Sequence, residues 1–95
     1  LREVYSLMEG LFKKEMNELE KRSPRYTTIL QLIAQGINTW TMIKNHFIAK
    51  GDMISDSRLS DLLTTLEKMS LIEKMQNMYR IVDPVFERIL KGQPI

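Results

Sequence analysis

Three clusters of polar and basic residues carry the side chains best suited to hold a polyanion. The first is Thr39, Thr41 and Lys44, the second Ser57, Arg58, Thr64, Thr65 and Lys68, and the third Lys74, Asn77 and Arg80. Arg58 offers a planar fork that fits a guanine edge or a phosphate, and the hydroxyls of Ser57, Thr64 and Thr65 can donate to phosphate oxygens. Lys44, Lys74 and Arg80 are candidate phosphate contacts, and Thr39 and Thr41 stand where the positive end of a helix dipole would assist them. Bond-making chemistry finds less support. The single histidine, His46, has no thiol beside it and no metal-ligand spacing around it, and the chain has no cysteine. Its four glycines stand singly, so no phosphate-cradling loop is present. Asp52, Asp56 and Asp61 recur at helical spacing without a partner constellation and read as caps and solvated face. The expectation is a chain with no catalytic residues, no metal site and no cofactor, hence not an enzyme.

Each cluster needs an element to present it. A segment opening at Asn38-Thr39 presents Trp40, Ile43, Phe47 and Ile48 as an apolar face and stops at Gly51, so it reads as a helix with Thr39 and Thr41 at its start. From Ser55-Asp56-Ser57 to Met69, Leu59, Leu62, Leu63, Leu66 and Met69 repeat at three- and four-residue spacing, the clearest helical pattern in the chain. The side opposite those leucines holds Ser57, Arg58, Ser60, Asp61, Thr64, Thr65 and Lys68. Two short runs follow, Leu71–Met75 and Met78–Val82, separated only by Gln76-Asn77. They predict a hairpin with a tight turn, in which Asn77 tolerates a positive φ. Ile72, Tyr79 and Ile81 are its expected contacts with the helices, because a lone hairpin is unstable in water.

The remaining segments are helical as well. Ser23-Pro24 supplies a cap and a first-turn proline for a helix with Tyr26, Ile29, Leu30 and Ile33 on its buried stripe, ended by Gly36. Asp83-Pro84 opens a short last helix over Val85–Leu90. Before Ser23, Leu1, Val4, Tyr5, Met8, Leu11, Phe12 and Leu19 form one stripe of an amphipathic helix whose other face carries five acids and five bases. Gly10 inside it costs roughly 1 kcal/mol against alanine and suggests close packing or a bend. The expected fold is mostly α with a small β-hairpin, a winged helix-turn-helix with an extra N-terminal helix. Residues 1–22 are the docking or linker helix, 23–91 the winged-helix domain and 92–95 a tail.

Charge is uneven. The net charge is +2, but residues 25–51 carry +3 and residues 52–70, which hold the predicted recognition helix, carry −2. A duplex DNA partner therefore competes with a second reading, a protein-interaction module that packs on a neighbouring domain or on a second copy of the chain. Met75 and Met78 near the wing tip would suit such a soft contact. The longest apolar runs are too short to span a bilayer and no membrane partner is expected. Lack of cysteine fits a reducing, cytoplasmic setting. The chain opens on Leu1 rather than Met, as a piece of a longer protein would.

From Tyr26 to Val85 the chain also resembles the C-terminal winged-helix domain of archaeal P-loop ATPases of the AAA+/STAND-type group. The resemblance lies in Thr39-Trp40 at the start of the second core helix, in Ile-Ser-Asp-Ser at 54–57, and in Tyr-Arg-Ile-x-Asp-Pro at 79–84. The first helix is similar to the one that joins such an ATPase core to this domain. The resemblance implies a larger ATP-hydrolysing parent, with the winged helix binding DNA or packing on the ATPase core as a regulatory element. No position here matches a Walker lysine or a magnesium-binding acid. Winged-helix transcription regulators share the same element order and are the second family it resembles.

Overall fold

Four helices of this chain open on a residue whose side chain accepts a hydrogen bond from a first-turn amide, which satisfies donors that the helix itself leaves unpaired. Ser23 caps α2 (Pro24–Ala34), Thr39 caps α3 (Trp40–Ala49), Ser55 caps α4 (Asp56–Lys68) and Asp83 caps α5 (Pro84–Lys91). The structure is a computed structural model that describes residues 10, 13, 14 and 16–92. Within that range α1 is described continuously over residues 16–22, and β1 (Ile72–Met75) and β2 (Met78–Ile81) lie between α4 and α5. The order matches the winged helix expected from the sequence. Asp56 is not the cap of α4, however, since Ser55 takes that place and Asp56 becomes the first helical residue.

The core is built around α2. Ile29, Leu30, Leu32, Ile33 and Ala34 are all buried, so its C-terminal half is covered on nearly every side. It packs against α4, α5 and β2. Such coverage is why Leu32, outside the single stripe expected from spacing, is fully buried. Leu59, Leu62, Leu63 and Leu66 of α4 are buried as their spacing predicts. Met69, read as the next member of that stripe, is instead the C-cap and is partly exposed, because the helix ends one residue earlier. Ile48 is exposed too, with Ile43 and Phe47 alone buried on α3. Gly36 and Gly51, at φ 95° and 84°, end α2 and α3 in the left-handed region that favours glycine.

The hairpin is antiparallel, with Ile72 opposite Ile81, Glu73 opposite Arg80, Lys74 opposite Tyr79 and Met75 opposite Met78. Of the two turn residues it is Gln76 that takes a positive φ, 59°, rather than Asn77. A left-handed first position alone is the pattern of a type II′ turn, whose twist suits a two-residue hairpin loop. A third strand is reduced to a single bridge, Thr39 to Met78, reinforced by the Tyr79 amide donating to the Asn38 carbonyl at 2.7 Å.

Met16 and Leu19 of α1 are buried and join the core. The stripe residues Leu1, Val4, Tyr5, Met8, Leu11 and Phe12 lie outside the described residues, as do 93–95 of the tail. At Gly10 a Cβ would meet nothing within 4 Å, so close packing does not explain that glycine. Arg25 grips Asp52 with two bonds, Nε to Oδ2 at 2.9 Å and Nη2 to Oδ1 at 2.5 Å, tying the start of α2 to the loop after α3. No helix among the described residues is long and apolar enough to cross a membrane.

Two stability measurements follow from these contacts. Leu62→Ala, at a fully buried position, is expected to cost about 2–5 kcal/mol in chemical denaturation, against less than about 0.5 kcal/mol for the exposed Thr64→Ala. The hydrogen bonds from Arg25 hold the Asp52 carboxyl below its ordinary range. The pair therefore stabilises the fold above the unfolded-state value of about 3.9 and loses that contribution as pH falls through the lower folded-state value. Both side chains are about a third exposed, 31% and 34%, which limits the pair to about 1 kcal/mol. Asp52→Asn should lower the urea midpoint near neutral pH and converge on the wild type in strong acid; a constant difference at all pH values would contradict it.

Candidate nucleic-acid interface

The bridge between Thr39 and Met78 brings two distant stretches of chain side by side. Thr39, Trp40 and Thr41 at the start of α3 line one open groove together with Lys74, Asn77 and Tyr79 of the wing. Four of the residues expected to contact DNA, Thr39, Thr41, Lys74 and Asn77, thus meet at one place. Lys74 lies on the same face of the hairpin as Tyr79, with its Nζ 5.8 Å from the ring centroid. The ring carries the lysine out over the groove and faces its charge with a π surface. Tyr79 itself is buried, and its phenol is pushed above its ordinary pKa first by burial and then by the charge of Glu67.

On α4 the burial pattern fixes which side faces outward. At about 100° per residue, Ser57, Asp61, Thr64 and Lys68 fall on one line opposite the buried leucines, and all four are exposed. Arg58 and Thr65 flank that line on one side, Ser60 and Glu67 on the other. Arg58 is exposed, whereas Thr65 is half-buried and donates its hydroxyl to the Asp61 carbonyl at 2.9 Å. Trp40 Nε1 donates to Ser60 Oγ at 3.2 Å, so the tryptophan packs against the core and also braces α3 against α4. The Ser60–Glu67 flank therefore borders the groove.

Two basic residues of the expected set are ion-paired within the domain, Lys44 in its interior and Arg80 on its surface. Lys44 is largely buried, 17% exposed at its side chain, with Nζ 3.0 Å from Asp56 Oδ1, and it also donates to the Ile54 carbonyl. It locks the turn between α3 and α4, and its charge is satisfied there. Arg80 donates to Glu73 across the hairpin. The pleat puts both on the face opposite Lys74, together with Met75 and Met78, so the wing residues split between two surfaces. Arg58, Lys68 and Lys74 have no ion pair among the described residues, and they are the cations left on the α4 and wing side.

Spacing did not reveal Tyr79 as a groove residue, since it reads as an apolar packing position; Trp40, at the start of α3, lines the groove and also packs on the core. His46 is half-buried with its ring edge-on to Phe47, 6.4 Å between centroids. Among the described residues no cluster of three or more histidines, cysteines or acids is placed to hold a metal ion.

Because Lys44 bonds within the domain and Lys74 does not, their alanine variants should differ. Lys44→Ala strands the Ile54 carbonyl and is expected to lower Tm by several degrees, about 1–2 kcal/mol. Lys74→Ala should leave Tm within about 2 °C. Equal melting curves for the two variants would show that Lys44 is not the lock of the turn.

Comparison with known proteins agrees with this architecture. The structure is similar to a Walker-type ATPase of Pyrococcus abyssi, with a TM-score of 0.87 and 40% sequence identity over 95% of this chain. This chain spans only 26% of that protein's length. No curated protein matches the sequence. The resemblance to the winged-helix domain of archaeal ATPases holds. The family described as the MCM protein C-terminal winged helix-turn-helix domain matches residues 20–82, from the end of α1 to the residue after β2. The chain belongs to that family.

Proposed function

We propose that this chain is the duplex-DNA-contacting module of a larger, cytoplasmic ATP-hydrolysing protein, and that the module itself performs no catalysis. The observation that carries this reading is the convergence of Thr39 and Thr41 with Lys74 and Asn77 in one groove beside the exposed line of α4. In a helix-turn-helix the second helix enters the major groove and the wing follows the backbone. Here α4 would present Ser57, Thr64 and Lys68 with Arg58 at its side, and the groove would hold the adjacent phosphates. The likeness to a Walker-type ATPase of which this chain covers a quarter supports the larger parent.

Few cations are available, so binding should be modest and salt-sensitive. Three phosphate contacts, from Arg58, Lys68 and Lys74, correspond to a slope of about −2.7 in log affinity against log salt.

A second reading is favoured by one feature. Met75 and Met78 sit opposite each other on the outer face of the wing, 55% and 52% exposed. That face suits a protein contact, with the ATPase part of the parent or a second copy as its partner.

Fluorescence-anisotropy titration with a random duplex separates the two. In the DNA reading, Lys68→Glu with Lys74→Glu weakens binding at least about tenfold at low salt, while Met75→Glu with Met78→Glu leaves it near wild type. Charge reversal at Arg58 with Lys68 should weaken it similarly. Affinity unchanged by reversal of the lysines would remove the assignment, and no duplex binding by the wild type even at low salt would favour the protein contact of the outer face.

A further inference from the structure

The three acids of α4 occupy different surroundings. Asp56, at the first turn, is countered by Lys44 at 3.0 Å. Glu67 lies on the flank beside the wing, close enough for its charge to act on Tyr79. Asp61 alone stands on the outermost line, with Ser57 one turn before it and Thr64 and Lys68 after it. It is exposed, and its carboxylate has no ion pair among the described residues. It stabilises nothing visible in the fold: its carbonyl accepts from Thr65, but its side chain is not needed for that bond.

Resting on the DNA reading above, this position poses a sharp problem. A helix that meets DNA through this line brings Asp61 to the floor of the major groove. An ionised carboxylate there can only accept hydrogen bonds, and near phosphates it repels. Among the base edges in the major groove, guanine offers the acceptors N7 and O6 and thymine the acceptor O4. Adenine offers an amino group, but with the N7 acceptor beside it. Cytosine offers its N4 amino group without that neighbour. A lone carboxylate therefore fits one edge and is opposed by the others.

We infer that Asp61 is a specificity-determining residue that accepts a hydrogen bond from the N4 amino group of a cytosine when α4 lies in the major groove. Ser57 and Lys68, about 6 Å and 10 Å along the helix axis from it, would reach the flanking backbone. Asp61 lowers affinity for DNA in general and restores it at a matching base pair. Selectivity is thus obtained by penalising wrong sequences as much as by rewarding the right one.

The test is selection of the 95-residue chain on a duplex pool with a randomised centre, run with wild type, Asp61→Ala and Asp61→Asn. Wild type should enrich cytosine at one position, by about tenfold over the other bases. Asp61→Ala should lose the enrichment and bind the unselected pool several-fold more tightly, because a repulsive charge is gone. Asp61→Asn should shift the preference to adenine, since an amide matches the paired donor and acceptor of N6 and N7. Melting curves of both variants should overlay the wild type, as the position points outward. Cytosine enrichment retained by Asp61→Ala, or uniform base usage by a wild type that does bind duplex, overturns this assignment alone. Failure of the wild type to bind any duplex overturns the DNA reading together with it.

Discussion

The Tyr79 amide donates to the Asn38 carbonyl, and around this 2.7 Å bond the wing is joined to the helices. A two-stranded hairpin has too little buried surface to persist alone. Here its inner face carries Ile72, Tyr79 and Ile81 into the core, and the bond to Asn38 with the Thr39–Met78 bridge sets its position along the start of α3. Remove that tie and Lys74 and Asn77 have no fixed relation to Thr39 and Thr41. The groove exists because two stretches some three dozen residues apart in sequence share one main-chain register.

Part of the charge in this domain is used within it. Arg25 meets Asp52, Lys44 meets Asp56 and Arg80 meets Glu73. The first two pairs anchor the ends of the α3–α4 connection, one from α2 and one from α3 itself. They keep the turn of the helix-turn-helix in shape, so α4 is presented at a defined angle. A net charge of +2 is thus a poor guide to the surface. What matters is that Arg58, Lys68 and Lys74 are left beside α4 and the wing, interleaved with Asp61. Such a surface has too few cations for strong non-specific attraction to DNA, and the acids Asp61 and Glu67 discourage it.

The wing has two chemically distinct faces. Lys74 rests on the Tyr79 ring on the inner face, next to the groove, and the Glu73–Arg80 pair with Met75 and Met78 forms the outer one. The alternation of side chains along a strand makes this separation unavoidable. A nucleic acid on the inner face and a protein on the outer face would not compete for the same side chains.

Much of the fold was legible in the sequence because its causes are local. Caps at Ser23 and Thr39, the leucine spacing of α4, and the two-residue break between β-branched runs each act within a few residues. By itself the sequence determined the element order, the outward line of α4 and the absence of cysteine chemistry. Departures came where a distant partner decided the outcome. Leu32 is buried because α2 is surrounded, Ile48 is exposed because nothing packs on that side of α3 among the described residues, and Gln76 rather than Asn77 turns left-handed because the twist of the paired strands requires it at the first loop position. The same holds for the candidate site. Residue type alone put Lys44 among the phosphate contacts, but a lysine's reach is not encoded in its neighbours. Only tertiary packing, which brings the Ile54 carbonyl and Asp56 to Lys44 and lays Lys74 beside Thr39 and Thr41, decided which cations hold the fold and which face solvent.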